Sequence, residues 1–225
     1  MTVLLGSTGV CWSWSADFQK GLDAAERGDF ATALKEWTPL AEQGDADAQT
    51  NLGFMYHKGQ GVPQDDKTAV KWFILAAEQG DAKAQTNLGY MYDNGQGVPQ
   101  DDKTAVKWYT LAAEQGHAYA QTSLGVMYDS GRGVPQDYKA AARWYTLAAE
   151  HGFATAQYSM GLKYAIGQGV SQDYVRAHMW GNIAASNGHE DGGALQDFVA
   201  KKMTPSQLEE AQKLARECVA KYMGC

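Results

Sequence analysis

The chain has 225 residues, a formal net charge of −7 and a sequence pI near 5.2. Hydrophobic residues make up 44% and charged residues 20% of the sequence, a balance typical of a folded protein rather than a disordered one. The acidic charge and the lack of any run of Lys and Arg argue against nucleic-acid binding, which needs a basic patch. No apolar stretch approaches the roughly 20 residues that a membrane-spanning helix requires.

Residues 1–16 form a leader that precedes the first amphipathic segment. Residues 1–10 are mostly apolar or small, and Ser13-Trp14-Ser15-Ala16 follows, as in the second half of a signal peptide. The basic beginning of a signal peptide is missing, since the first cationic side chain is Lys20. The leader is interpreted as a truncated signal peptide, which predicts a periplasmic or secreted protein. The alternative is a disordered tail, in which case the chain is cytoplasmic.

A period of 36 residues runs through the middle of the chain. It divides residues 46–189 into four units, which are residues 46–81, 82–117, 118–153 and 154–189. The residues that mark the period are Gln49, Gln85, Gln121 and Gln157, then Trp72, Trp108, Trp144 and Trp180, and then Gly44, Gly80, Gly116, Gly152 and Gly188. The first two units differ at only seven positions, which indicates a tandem array whose units contact their neighbours.

Each unit predicts a pair of helices joined by a glycine-rich loop. In the first unit, apolar residues from Ala48 to Tyr56 recur every three or four positions, as in an amphipathic helix. The loop of residues 59–64 contains two glycines and a proline, so it is not helical throughout. Asp65 or Asp66 then supplies a side-chain oxygen that caps the second helix.

Small residues inside the first helices predict close contacts between helices. Glycine there costs roughly 1 kcal/mol relative to Ala, and it recurs at one phase of all four units. These glycines are Gly53, Gly89, Gly125 and Gly161. A cost repeated in this way is expected where a neighbouring helix comes near. The four tryptophans of the period are predicted to fill the wider spaces of the core.

The two ends of the array are predicted to be capped. Residues 17–45 read as a shorter helix hairpin at the N-terminal end, and residues 190–225 as C-terminal capping helices. Residues 204–207, Thr-Pro-Ser-Gln, have the pattern of a helix start with a capping box. Inside the array, His117 and Phe153 stand where other units have a capping Asp, so those joints should be capped more weakly.

Two cysteines lie close together at the C-terminal end. If the leader is removed, Cys11 is lost with it, and Cys218 and Cys225 remain as an even pair. A helix that ends shortly before Cys225 would bring the two within bridging distance. A disulfide would fit an oxidising compartment, and two unpaired thiols are the alternative.

The repeated residues resemble a known family. The pattern Ala-Gln-x-x-Leu-Gly-x-Met-Tyr, Gly-x-Gly-Val-Pro-Gln-Asp and Lys-x-Ala-x-x-Trp-x-x-x-Ala-Ala-Glu-x-Gly resembles the Sel1-like repeat, a relative of the tetratricopeptide repeat. The resemblance covers about residues 17–189. It implies an all-α fold, a right-handed αα superhelix (solenoid) of helix hairpins, and an adaptor or scaffold role. It also implies export, since many bacterial members leave the cytoplasm.

The fourth unit departs from this pattern. Met160 replaces Leu, Ser171 replaces Pro, and Gly181-Asn182 replace an aromatic residue and Thr. These changes predict a transition toward a cap.

The sequence offers no motif for catalysis, metal binding or cofactor binding. The five histidines lack the spacing of a zinc helix, and no serine lies in a Gly-x-Ser-x-Gly motif. The glycine-rich loops are followed by Asp, which repels phosphate, so they are read as connections between helices. The resemblance leaves two alternatives open. One is a cell-envelope hydrolase or a protein that binds β-lactam or peptidoglycan, and the other is a structural assembly factor of the envelope.

The first helix of each unit is expected, by analogy with tetratricopeptide repeats, to line a concave face that binds a partner protein or peptide. The units diverge at positions of this helix that packing leaves free, and aromatic anchors dominate many interfaces. Drift of exposed positions is the alternative. The predicted partner-binding residues are Asp47, Thr50, Phe54 and His57, then Lys83, Thr86, Tyr90 and Asp93, then Tyr119, Thr122, Val126 and Asp129, and then Thr155, Tyr158 and Leu162.

Overall fold

The computed structural model describes the backbone of residues 11–222 and the side chains of residues 18–221. Over this range the chain forms twelve α-helices and no strand. Residues 1–10, which carry most of the predicted leader, lie outside the described residues, so the interpretation of the leader stays a prediction. The chain divides into two compact units, residues 1–101 and residues 102–225.

The first unit holds five helices, and within it each helix from α1 to α4 packs against the one that follows. They are α1 (Cys11–Glu26), α2 (Phe30–Glu42), α3 (Ala46–Lys58), α4 (Asp66–Glu78) and α5 (Ala82–Asn94). Its core is formed by α1 to α4 and contains buried Trp37, Leu40, Leu52 and Met55.

The second unit holds seven helices, which pack in consecutive pairs from α6 to α11, while α12 packs against α10. They are α6 (Asp102–Glu114), α7 (Ala118–Ser130), α8 (Tyr138–Glu150), α9 (Ala154–Ile166), α10 (Tyr174–Ser186), α11 (Gly192–Ala200) and α12 (Pro205–Tyr222). The two helices predicted for each repeat are therefore present in all four, with the predicted loop between them.

Side chains cap the helices where the sequence predicts it. Asp81 accepts a hydrogen bond from a backbone amide of α5, whereas His117 and Phe153 make no such bond at the starts of α7 and α9. The prediction of weaker caps at these two joints is confirmed. The capping box of α12 is also confirmed, because the Thr204 amide donates to Gln207 Oε1 (2.9 Å) and the Gln207 amide donates to Thr204 Oγ1 (3.3 Å).

The glycines inside the first helices lie against a large side chain of the second helix. A Cβ atom added to Gly53 would lie 2.5 Å from a ring carbon of Phe73, and one added to Gly125 would lie 2.6 Å from a ring carbon of Tyr145. The predicted close approach of the two helices is confirmed at both positions. Gly21 and Trp37 repeat the arrangement between α1 and α2, a contact that was not predicted from the sequence. We call this contact the glycine joint.

The prediction that the period tryptophans fill the core is wrong for three of the four. Trp72, Trp108 and Trp144 are only half-buried, and the aromatic residue that follows each of them is the buried one. Phe73 is 0% exposed and Tyr145 is 3% exposed. The following residue occupies the space over the glycine, and the tryptophan lies one helical step (about 100°) away, toward the surface.

The last repeat forms its joint differently. Gly181 stands where the other repeats have the buried aromatic residue, and it lets α11 approach α10. A Cβ atom on Gly161 would lie 2.7 Å from a methyl carbon of Leu195, so a leucine of α11 fills the space that the ring fills elsewhere. The departure of the fourth repeat from the pattern thus has a packing reason.

Candidate protein interface

In the first unit, the predicted partner-binding residues of α3 and α5 form a surface of mixed charge. Asp47 and Lys83 are exposed, and Phe54, His57 and Tyr90 are half-buried. The rings of His57 and Tyr90 meet edge to face, with centroids 6.3 Å apart. This contact joins the predicted surface of α3 to that of α5.

The side chains of α3 in this surface contact α4, the second helix of the same repeat. The ring of Phe54 packs edge-on against Phe73 with centroids 5.6 Å apart, and His57 Nδ1 lies 2.7 Å from Asp66 Oδ1. Asp93, at the position equivalent to His57, is also half-buried. These side chains are held in place by the fold, which leaves part of each exposed.

Three of the four predicted threonines are buried, so they are not available to a partner, and this part of the prediction is wrong. Thr50, Thr86 and Thr122 are 3%, 4% and 7% exposed. Thr50 Oγ1 donates a hydrogen bond to Asp81 Oδ1 (2.9 Å), the carboxylate that also caps α5. The other two hydroxyls donate to the backbone carbonyl four residues earlier. A first helix of this fold packs against both the preceding and the following helix, so its buried arc is wider than in a surface helix.

In the second unit, the predicted residues of α7 and α9 are largely apolar and exposed. Tyr119, Val126 and Leu162 are 41%, 43% and 38% exposed. Ile166, which the prediction missed, is 61% exposed, the largest value among the large hydrophobic side chains that the structure describes. We call these four residues the α7–α9 surface.

The remaining predicted residues of α9 lie beside this surface. Thr155 is exposed, and the ring of Tyr158 stacks on His189 with centroids 4.2 Å apart and an interplanar angle of 14°. The ring of Tyr119 in turn contacts Phe153 edge to face at 6.1 Å. Aromatic contacts thus fix the N-terminal ends of both helices.

A buried ion pair joins α7 to α9 beside the surface. Lys163 is 4% exposed, and its ammonium group donates to Asp129, one of the predicted residues, and to Gln168 Oε1 (2.7 Å). The same ammonium lies 4.8 Å from the centre of the Tyr138 ring. Lys163 stands where the other repeats have a buried methionine. Asp129 therefore serves the packing of α9 on α7, in addition to any contact with a partner.

A change of residue type could have revealed Ile166 from the sequence. It occupies the last position of α9, directly before the glycine that ends the helix. The equivalent residues of the other repeats are Lys58, Asn94 and Ser130. An isoleucine at a position that is otherwise polar, with no core contact to explain it, is a signal of an exposed apolar surface.

Two buried titratable groups of the second unit have perturbed pKa values. Burial raises the pKa of the Tyr145 hydroxyl far above its usual value, and the charge of Asp129 adds to the effect. Burial lowers the pKa of His178, against the smaller opposing effect of Asp197. The Nδ1 atom of His178 has no hydrogen-bond partner among the described residues. Both groups lie in the packed interior.

The described residues do not bring together three or more His, Cys, Asp or Glu side chains that could hold a metal ion. None of the described helices is both long enough and apolar enough to cross a membrane. Cys218 is half-buried on α12, where burial and the nearby Glu150 raise the pKa of its thiol. Cys225 lies outside the described residues, so the predicted disulfide stays a prediction.

Comparison with known proteins identifies the repeat. The model of the Sel1 repeat matches residues 46–81, 82–117, 118–153 and 154–189, the four units that the period defines. No curated protein matches the chain significantly.

Several solved structures are similar to the chain. A protective antigen of uropathogenic Escherichia coli strains, which displays an SLR fold, is 36% identical over 93% of this chain with a TM-score of 0.85, and this chain covers 46% of it. A Sel1 repeat protein of Oxalobacter formigenes is 32% identical with a TM-score of 0.78, over 92% of this chain and 87% of that one. An immunity protein of Pseudomonas aeruginosa, 18% identical over 95% of this chain and 85% of that one with a TM-score of 0.54, shares the fold alone.

The matched repeats, the paired helices and these structures confirm the predicted all-α repeat fold. The chain belongs to the Sel1 repeat family.

Proposed function

We propose that the chain is a non-catalytic adaptor or scaffold that binds another protein through the surface of its first helices. Sel1 repeats generally mediate protein interactions, and the chain carries four of them. The observation that carries the proposal is the α7–α9 surface, where Tyr119, Val126, Leu162 and Ile166 are each more than a third exposed.

Exposed apolar side chains of this size favour an interface. Burial of apolar area contributes about 25 cal/mol per Å², so a partner that covers several such side chains gains affinity from the hydrophobic effect. Tyr119 adds an aromatic side chain, and aromatic residues are enriched among the residues that dominate binding energy.

The buried contacts beneath the surface support the same proposal. The ion pair between Lys163 and Asp129 connects α9 to α7, and the stacked rings of Tyr158 and His189 hold the beginning of α9. Side chains on helices that are fixed in this way lose little conformational entropy when a partner binds. The surface therefore suits an extended peptide or a helix of a partner that presents apolar side chains.

The place of action is part of the proposal. The leader of residues 1–16 and the likeness to a protective antigen support a periplasmic or secreted protein whose partner belongs to the cell envelope or lies outside the cell. Fractionation of cells that produce the protein from its natural gene tests this point, and recovery of the protein from the cytoplasm alone would contradict it.

The interface is tested with a pull-down from an envelope fraction, in which three forms of the full chain are compared. Tyr119→Ala/Leu162→Ser removes two side chains of the α7–α9 surface. Phe198→Ser/Val219→Ser is the matched control, because these side chains of α11 and α12 are similarly exposed, at 52% and 43%. Circular dichroism verifies that all three forms fold.

We expect the wild-type chain and the control to retain a protein that the Tyr119→Ala/Leu162→Ser variant loses. Equal retention by all three forms would contradict the proposed interface and favour a structural role in envelope assembly. A competing proposal is a hydrolase of the cell envelope. Labelling of the chain by a reactive-serine probe would favour the hydrolase and contradict a non-catalytic adaptor.

A further inference from the structure

The second helices carry a repeated pair of large apolar side chains whose surroundings differ between repeats. The pair is a tryptophan and, three residues later, Leu75, Leu111 or Leu147, which is Ile183 in the last repeat. The three leucines are 45%, 38% and 42% exposed, whereas Ile183 is 2% exposed. Trp180, the partner of Ile183, is likewise buried at 6% exposure, unlike the other period tryptophans.

Helix α12 covers the pair in the last repeat. Ala215 of α12 is buried in one apolar cluster with Trp180 and Ile183, and Leu214 and Cys218 pack against that cluster. These residues lie on one side of α12, so it binds α10 as an amphipathic helix does.

Basic residues of α12 lie beside this contact. Arg216 lines the same groove as Ser186 at the end of α10. Cys218 packs against the cluster that contains Ala149 near the end of α8, and Glu150 and Lys221 both lie near its thiol. We call the place where α12 lies on α10 the α12 seat.

The first unit has a cleft at the equivalent position, three repeats or 108 residues earlier. Its volume is about 590 Å³, and it is open to solvent. It is lined by Ala41, Glu42, Gln43, Gly44, Gln49, Trp72, Leu75, Glu78 and Gln79. Glu42, Trp72 and Leu75 correspond to Glu150, Trp180 and Ile183 of the α12 seat.

The polar side chains at the bottom of the cleft, which we call its polar floor, make the same hydrogen bonds as the equivalent side chains of the α12 seat. Gln79 Nε2 donates to Gln49 Oε1 (2.8 Å), and Gln49 Nε2 donates to the carbonyl of Ala41 (2.9 Å). In the seat, Asn187 Nδ2 donates to Gln157 Oε1 (2.9 Å), and Gln157 Nε2 donates to the carbonyl of Ala149 (3.0 Å). The two places share their backbone frame, so a helix that fits one has the shape to fit the other.

We propose that this cleft binds an amphipathic helix of a partner protein, with leucine and small residues on its apolar side and basic residues beside them. The apolar requirement comes from Trp72 and Leu75. The basic requirement comes from Glu42 and Glu78 on the rim of the cleft. The seat carries one glutamate, Glu150, at the two equivalent positions, and Arg216 and Lys221 of α12 lie near the seat. Opposite charges across an interface favour association and its register.

A synthetic peptide of residues 204–222 is the probe, since it carries the apolar side of α12 and its basic residues. Its binding to the full chain is measured by fluorescence anisotropy, with a matched peptide that carries Arg216→Glu and Lys221→Glu as the control. We expect the unmodified peptide to bind at least about tenfold more tightly than the control peptide, and the difference to shrink at high salt.

Variants of the full chain locate the binding. Leu75→Lys should weaken binding of the unmodified peptide at least tenfold, by placing a charge on the apolar wall. Phe198→Lys, which alters an exposed apolar side chain of α11 away from these tryptophan and leucine pairs, should leave it unchanged. The Glu42→Lys/Glu78→Lys variant should prefer the charge-reversed peptide.

Three results would overturn the proposal. They are a peptide that does not bind, binding that is unchanged by Leu75→Lys, and self-association of the unmodified chain that Leu75→Lys abolishes. The last result would assign the cleft to α12 of a second copy of the chain. None of these variants touches the α7–α9 surface, so the outcome is independent of the proposed function.

Discussion

The glycine joint between α3 and α4 predicts that the usual effect of glycine-to-alanine substitution in a helix is reversed. Alanine is about 1 kcal/mol more favourable than glycine in a helix interior. In Gly53→Ala the new methyl group would lie 2.5–2.6 Å from two ring carbons of Phe73, whose side chain is 0% exposed and has no outward path. Overpacking of a core costs about 1–3 kcal/mol. We therefore expect Gly53→Ala to lower the free energy of unfolding by up to about 2 kcal/mol.

Urea unfolding followed by circular dichroism measures this effect. Gly193→Ala is the control, because this glycine in the first turn of α11 has no neighbouring atom within 4 Å of the new Cβ, so the substitution should stabilise the chain by at most roughly 0.5–1 kcal/mol. The double variant Gly53→Ala/Phe73→Leu should lose less unfolding free energy than the two single variants lose together, since the smaller side chain leaves room for the methyl group. A Gly53→Ala chain that is stabilised like the control, or strict additivity, would refute the packing argument.

Three further outcomes follow from burial and charge. Phe73→Ala should lower the free energy of unfolding by about 3–5 kcal/mol and Trp72→Ala by roughly half as much, as measured by the same titration. Asp129→Ala should lower the free energy of unfolding by about 3–5 kcal/mol, because it leaves the Lys163 ammonium buried without its carboxylate. Lys163→Met introduces the residue type of the other repeats and should lower it by less than about 1 kcal/mol, because Asp129 is still reached by water. The third concerns His178, whose pKa is lowered below its usual value of 6.5 on folding, so the unfolded chain binds more protons as the pH falls. Stability should therefore be full above about pH 6.5 and decline below it, and thermal unfolding of His178→Ala should show a smaller decline.

Much of the fold could be predicted from the sequence because each local feature of the repeat occurs four times in it. A single glycine in a helix has many explanations, but Gly53 and its three equivalents at one phase indicate a packing constraint. The helix starts with and without a capping side chain could also be predicted. The absence of a capping oxygen at His117 and Phe153 is a local property, and so is the reciprocal pattern of Thr204 and Gln207.

The sequence could not decide which of two adjacent aromatic residues is buried. Trp72 and Phe73 both flank the apolar side of α4, about 100° apart around the helix axis. The choice depends on where α3 places the backbone of Gly53, which is a tertiary property. The larger residue was expected to fill the core, and the smaller ring fits the space that a glycine leaves.

The candidate interface shows a similar limit. A spacing of three and four residues shows on which face of a helix a side chain lies. It does not show how much of the helix circumference is buried. Thr50 was expected on the exposed face, but it is buried and donates a hydrogen bond to Asp81, 31 residues later, at the start of α5. Lys163 and Asp129 are 34 residues apart, so their pairing also depends on the stacking of successive repeats.

The interior of the repeat leaves few positions at which function can reside. Packing fixes the glycine of each first helix, the large side chain over it and the polar floor around Gln49 or Gln157. The positions that packing leaves exposed are those on the first-helix surfaces, where the repeats differ, and the leucines of the second helices. At one position of the first-helix surface the successive repeats carry Asp47, Lys83 and Tyr119, in a chain whose repeats share one frame. Such a chain can present chemically different surfaces without any change of fold, which is the property that an adaptor requires.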